Sequence, residues 1–317
     1  MQIKKILILG GAGFIGSAIA EQFSKRGFEI TVPTRNRDRA KHLTLLPACD
    51  VVVADIFDRA TLHRLIAHAD CVVNLIGILH GDFDRVHVQF PKMVAELCAA
   101  NNTPRLLHMS ALNADENGVS DYLKSRGKGE AAVRAALTKS TALTVFRPSV
   151  VFGAGDAFLN LFASMFAVFP FIPLGSPHAQ FQPIWVEDVA HAVAESAHNT
   201  GTFGQSYNLC GPEVYTLKQL LQFVAATLGK RRLVIGLGAG LSNLQAIIFE
   251  NLPGKVITRD NVKSMSLPNV SSAPFPAIFG FTPSALSSVV PTYLGATKDR
   301  ISGRARYQNL RNCAGRE

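Results

Sequence analysis

At 317 residues and 48% hydrophobic composition, the chain can bury a large core, which excludes a disordered or fibrous protein. Its five cysteines (Cys49, Cys71, Cys98, Cys210, Cys313) are scattered, which argues against a disulfide scaffold or a paired zinc site and fits a reducing cytoplasm. The net charge of +9 is compatible with nucleic acid, anionic lipid or an acidic protein as partner and does not choose among them.

At the N-terminus, Lys4 and Lys5 precede an apolar run too short for a signal-peptide core, so Lys5 to Leu9 is expected to be a first strand. A helix over Gly16 to Arg26 follows, then strands at Glu29 to Pro33, Val51 to Ala54 and Cys71 to Leu75. Further strands at Arg105 to Met109 and Leu143 to Phe146 are separated by helices around Pro91 to Ala100 and Tyr122 to Leu137. Continuously apolar strands alternating with helices predict an α/β fold, a Rossmann doubly wound parallel sheet. The sheet is expected to occupy residues 1–155, with return elements near 181–210, among them a helix at Val186 to Ala197. A smaller C-terminal substrate or partner domain is assigned to 156–180 and 211–300, and a basic tail to 301–317.

The apolar run Phe158 to Leu174 is interrupted by Pro170 and Pro173 and carries Asn160 and Ser164. It reads as core or cleft lining, with a lipid-facing or partner-facing flap as the alternative to a membrane span. Ser264 to Ser288, rich in Pro and Ser, reads as loop-heavy. From Asn251 onward nine Lys and Arg stand against three acids. No aromatic residues interleave them as a single-strand nucleic-acid platform requires, so no nucleic-acid partner is expected. A solvated tail, an anionic membrane surface or a protein partner remain open for this segment.

Gly10-Gly11-Ala12-Gly13-Phe14-Ile15-Gly16 lies between a strand and a helix, the context that gives a glycine pattern meaning. Gly10 permits the turn, Gly13 lets a pyrophosphate approach, Gly16 lets helix pack on strand, and the helix opening at Phe14 and Ile15 offers N–H groups to phosphate. At the end of the second strand, where an NAD site places a carboxylate, stands Thr34-Arg35-Asn36-Arg37. Arg35 and Arg37 can pair with a 2′-phosphate, so NADP(H) is the expected cofactor and NAD(H) less so.

With Asp55-Ile56 after the third strand and Asn74-Leu75-Ile76-Gly77 after the fourth, this loop resembles the extended and atypical short-chain dehydrogenase/reductases of the NAD-dependent epimerase/dehydratase type. Ser110-Ala111-Leu112-Asn113-Ala114, Tyr122-Leu123, Phe158-Leu159-Asn160, Ile172 to Ser176, Gln182-Pro183 with Asp188-Val189, and Thr258-Arg259-Asp260 are similar to the branch containing the NADPH-binding accessory subunits of respiratory complex I and their bacterial relatives. The resemblance implies that Asp55 and Ile56 contact adenine. It also implies that Asn74 to Gly77 and Arg147 to Gly153 flank the nicotinamide end, with Pro148 and Val150 beside the ring.

In the family a Tyr is the acid/base, a Lys four residues on bonds the ribose, and a Ser or Thr holds the substrate oxygen. Tyr122 stands at the Tyr position and Ser110 in the hydroxyl-bearing segment, where strict register points to Ala111 instead. Arg126 replaces the Lys; it shares a helix face with Tyr122 and can still bond the ribose, but its wider fork is not equivalent. Asp188 reads as a helix cap or a substrate contact. His80, His87 and His108 read as surface or strand-end polar residues, and no metal is assigned.

Two functions follow. The first is an NADP(H)-binding protein that holds the nucleotide as a structural or sensing ligand and docks on a respiratory membrane complex, with a cytoplasmic location peripheral to the inner face of the membrane. The second is an NADPH-dependent reductase or epimerase using Tyr122 on a small apolar oxygenated substrate such as a quinone or isoprenoid precursor; a nucleotide-sugar substrate, common among extended relatives, ranks third because the recognisable cleft segments are so apolar.

Overall fold

The computed structural model describes residues 3–169, 171–230, 233–237 and 258–294. Its centre is a seven-stranded sheet built from β1 (Lys5–Leu9), β2 (Glu29–Thr34), β3 (Cys49–Val53), β4 (Cys71–Asn74), β5 (Arg105–Met109), β6 (Ala142–Pro148) and an edge strand, Ser206–Leu209. The order is edge strand, β6, β5, β4, β1, β2, β3, and every pair is parallel. The expected doubly wound sheet is therefore present, and its order reverses between β1 and β4, where such sheets open a ligand crevice.

Alternation along β1 divides the core. Ile6 and Ile8 join α1 (Phe14–Lys25) and the helix Val186–Ser196 on one face. Leu7 and Leu9 join α2 (Arg59–Ile66) and α3 (Phe90–Ala100) on the other. A third apolar cluster gathers α5 (Ala157–Val168) and the helix Leu217–Thr227 around Phe152, Phe162 and Phe166. The apolar run from Phe158 thus forms one helix and one strand, Phe171–Leu174, paired in parallel with Leu233–Gly236. That small sheet and the end of α5 leave Val168, Phe169, Phe171, Leu233 and Ile235 exposed. Among the described residues, no helix is long and apolar enough to cross a membrane. The basic tail 301–317 lies outside the described residues.

The polar flank of the sheet is organised by Arg105, whose side chain is fully buried. Its guanidinium makes five hydrogen bonds to Ser196 O, Ala142 O, Thr144 Oγ1 and Thr202 Oγ1, and stacks 4.4 Å from the Phe203 ring. Burial pulls its pKa down to about 10, so it remains cationic at neutral pH. Removing it strands several buried acceptors, so Arg105→Ala is expected to cost roughly 3–5 kcal/mol, with Arg105→Lys restoring only part of the loss. Urea unfolding midpoints of the two variants check this.

Candidate functional site

The glycine loop follows β1 directly. Gly10 has φ +88°, a left-handed turn, and a Cβ on Gly16 would lie 2.3 Å from Gly10 O, so only glycine lets α1 sit this close to the strand. Gly13 is the N-cap of α1 and supplies no side-chain cap, and no acid occupies the first turn. The N–H groups of Phe14 and Ile15 consequently lack intrahelical acceptors and suit an anion. At the end of β2, the Thr34 hydroxyl is used within its own turn, bonding Asn36. Arg35 and Arg37 are exposed, and the neighbouring Asp38 is paired with Lys41, so both guanidiniums are free of carboxylates among the described residues. After β3, the exposed Asp55 accepts a hydrogen bond from Phe57 N, while Ile56 is buried in the core.

A second group of side chains lies at the ends of β4 and β5. Asn74 is buried; its Oδ1 accepts from Ile76 N at 3.2 Å and its amide meets His108 Nδ1 at 3.3 Å, which fixes the turn Leu75-Ile76-Gly77. α4 (Asp121–Ala136) carries Tyr122 in its first turn and Arg126 one turn on. Arg126 lies against Gly77, where a Cβ would stand 2.0 Å from its Nη2. Its Nη1 donates to Met109 O at 3.3 Å, and its carbon Cζ is 5.4 Å from the Tyr122 ring centroid. Lys124 turns to Asp121 instead, and Lys128 is exposed.

Two buried polar atoms here have no partner, Ser110 Oγ and Arg126 Nε. Buried polar groups are almost always satisfied, so both atoms have hydrogen-bonding capacity left that a bound molecule can use. Together with the open α1 N-terminus and the unpaired arginines after β2, the residues present fit a dinucleotide laid across the strand ends.

His87 differs from expectation. It is buried rather than a surface or strand-end residue, carried by a π-helical turn (Asp84–Gln89) that leads into α3. Its Nε2 accepts from Ile78 N at 3.0 Å, so Nδ1 carries the proton and donates to Ser125 Oγ at 2.8 Å, which in turn donates to Tyr122 O at 2.7 Å. The imidazole therefore ties the loop after Gly77 to the helix that carries Tyr122. Asp188 is likewise not the helix cap, which is Trp185; its carboxylate accepts from Ser284 N at 2.6 Å.

The start of α4 is held from far along the chain. Asp260, in α8 (Arg259–Ser264), accepts from Asp121 N at 2.7 Å and Tyr122 N at 3.0 Å, and Ser264 Oγ bonds Ser120 Oγ at 2.7 Å. Asp260 belongs to the Thr258-Arg259-Asp260 motif, but its partner was not legible in sequence. Beyond Tyr122 and Val150 opens a cavity of about 260 Å³, walled by Phe158, Phe162, Phe181 and Leu217. Pro148 ends β6, its carbonyl accepting from Leu112 N at 3.0 Å. Among the described residues no group of three His, Cys, Asp or Glu side chains is placed to hold a metal. A larger cavity of about 550 Å³ lies by Gly13 and Ser17 and carries Glu21 and Glu187. Burial and the Glu187 charge raise the Glu21 pKa, which favours its neutral form.

The model of the NAD dependent epimerase/dehydratase family matches residues 6–210. The chain belongs to this family. One epimerase/dehydratase relative is the mitochondrial NADH dehydrogenase [ubiquinone] 1 alpha subcomplex subunit 9 of Dictyostelium discoideum, 28% identical over 225 residues, covering 68% of this chain and 62% of that protein. The chain thus matches about three fifths of that relative's length. A ceramide reductase of Caulobacter vibrioides is 30% identical over 190 residues, 58% of each chain. Among solved structures, a dTDP-glucose 4,6-dehydratase from Streptomyces venezuelae with NAD bound superposes with a TM-score of 0.74 at 18% identity, covering 96% of this chain and 98% of that one, which shows a shared fold.

Both buried histidines are held neutral. Burial first, then the Arg126 cation, pulls His87 and His108 from 6.5 down to about 3. Because the folded values lie below the ordinary one, the unfolded chain binds protons first as pH falls. Their contribution is complete above pH 6.5 and is lost toward pH 3, at up to roughly 1.4 kcal/mol per pH unit for each histidine. Unfolding free energies of the wild type and His87→Gln, compared between pH 7 and pH 4.5, should converge as pH falls.

Proposed function

We propose that this chain is an NADP(H)-binding member of the epimerase/dehydratase family that keeps the nucleotide as a structural or sensing ligand, as a homologue of the complex I accessory subunits. The observation that carries the reading is Arg126. The guanidinium occupies the space above Gly77 with one donor unused, suited to a long-lived hydrogen bond with the nicotinamide ribose. Its planar fork and permanent charge make it a poorer substitute for the flexible Lys of a turnover site. Arg35 and Arg37, without a carboxylate competitor, favour the 2′-phosphate of NADP(H) over NAD(H). Asp55 and Ile56 would flank adenine, Asn74 to Gly77 the ribose and nicotinamide, and Pro148 with Val150 the far side of the ring.

The exposed apolar edge around Phe171 and Leu233 supports docking on a larger assembly. The name of the Dictyostelium relative makes a respiratory membrane complex the candidate. A cytoplasmic protein bound peripherally at the inner face of the membrane is the matching location.

A second reading is favoured by the uncharged cavity next to Tyr122: an NADPH-dependent reductase or epimerase acting on an apolar oxygenated substrate such as a quinone or isoprenoid precursor. A bound reduced nicotinamide would supply hydride. Tyr122 Oη would deliver a proton to the substrate oxygen, Ser110 Oγ would hold that oxygen, and Arg126 would favour the tyrosinate left behind.

Nicotinamide fluorescence titrations test the first reading. NADPH should bind at least about tenfold more tightly than NADH, and Arg35→Ala combined with Arg37→Ala should remove the difference, a loss of about 10–100-fold for NADPH alone. Equal or tighter binding of NADH overturns the NADP(H) assignment. Steady nicotinamide absorbance in the presence of a quinone-containing lipid extract is expected of a held ligand, whereas oxidation abolished by Tyr122→Phe would establish the reductase.

A further inference from the structure

We infer that the cavity beyond Tyr122 is a binding site for a single apolar chain carrying an uncharged oxygenated head, and that it does not take a nucleotide diphosphate. The inference deepens the second reading above and rests on its placing of Tyr122 toward the ligand. The first observation is charge: among the described residues lining the cavity there is no Lys, Arg, His, Asp or Glu. A diphosphate buried there would have no cation to pair with among the described lining residues, and unpaired buried charge is prohibitive. The second is size. At about 260 Å³ the space lies just below the usual size of ligand pockets, roughly 300–1,000 Å³, and suits a chain better than a sugar nucleotide.

The third observation is the distribution of polarity. Phe158, Phe162, Leu174, Phe181 and Leu217 form the apolar wall, and the polar side chains that join it are Tyr122, Asn261, Ser264 and Asn269. Asn269 Oδ1 is taken by Ser149 Oγ at 2.5 Å, and Asn261 Oδ1 by Thr258. What each amide has left to offer is its N–H donors, which match a carbonyl, hydroxyl or quinone oxygen. Asn261 and Ser264 also belong to α8, whose Asp260 holds the first turn of α4, so the element that meets the ligand is the one that positions Tyr122.

The test is calorimetric titration of the full chain with decylubiquinone, with the same quinone lacking its tail, and with UDP-glucose. The decyl compound should bind with a negative heat-capacity change, and loss of the tail should weaken binding at least about tenfold. UDP-glucose should give no heat. Leu161→Lys and Val262→Lys, both at half-exposed lining positions on different elements, should each weaken the decyl compound at least about tenfold. NADPH affinity and melting temperature, measured on the same samples, should not change. Equal binding of the tail-less quinone, tighter binding of UDP-glucose, or indifference to both substitutions overturns the inference. Failure of NADPH to bind while the chain-selective pattern holds would sink the nucleotide reading alone.

Discussion

The first two N–H groups of the helix that carries Tyr122 find no acceptor within their own helix, and a carboxylate 138 residues downstream of Tyr122 accepts from both. This bond between Asp260 and the start of α4 is the constraint on which the site depends. Without it, the orientation of Tyr122 would rest on Ser120 as cap and on the His87 bridge from behind. With it, the helix is held from both sides: by an imidazole bound to the loop after Gly77 and by an acid carried on a helix that lines the cavity. The negative charge also lies at the helix end where the macrodipole favours it.

The same economy appears at Arg126. In the ordinary arrangement a slender ammonium reaches the ribose. Here a flat cation lies against Gly77, and the absence of a side chain there is what admits it. The two residues are one device, because any Cβ at position 77 would expel the guanidinium. The charge of Arg126 in turn helps keep His87 and His108 neutral, which preserves the single hydrogen-bond direction through Ser125.

Much of the sheet was legible because parallel strands buried on both faces are built around continuous apolar runs, as Ile6–Leu9 is in β1 and Leu106-Leu107 in β5. The edge strand Ser206–Leu209 was not read, since it is half polar and only Leu209 is buried. The helix Arg59–Ile66 was too short and charged to show a period, and the π-helical turn Asp84–Gln89 has none. In the site, the glycine loop was readable because its function is a property of local backbone. His87 and Asp260 were not, because each acts through a partner that only the folded chain brings near. The cap reading of Asp188 fails for the same reason: its carboxylate accepts from Ser284, in another part of the chain.

Arg105 shows how the sheet manages a charge it cannot neutralise. Its guanidinium faces carbonyls, hydroxyls and an aromatic ring, with no carboxylate among its hydrogen-bond partners. The protein has in effect built a fixed solvent of dipoles around one ion. Mobile ions screen exposed pairs strongly and buried groups little, so this anchor should hold as firmly in brine as in dilute buffer, while the surface pairs such as Lys41 with Asp38 fade.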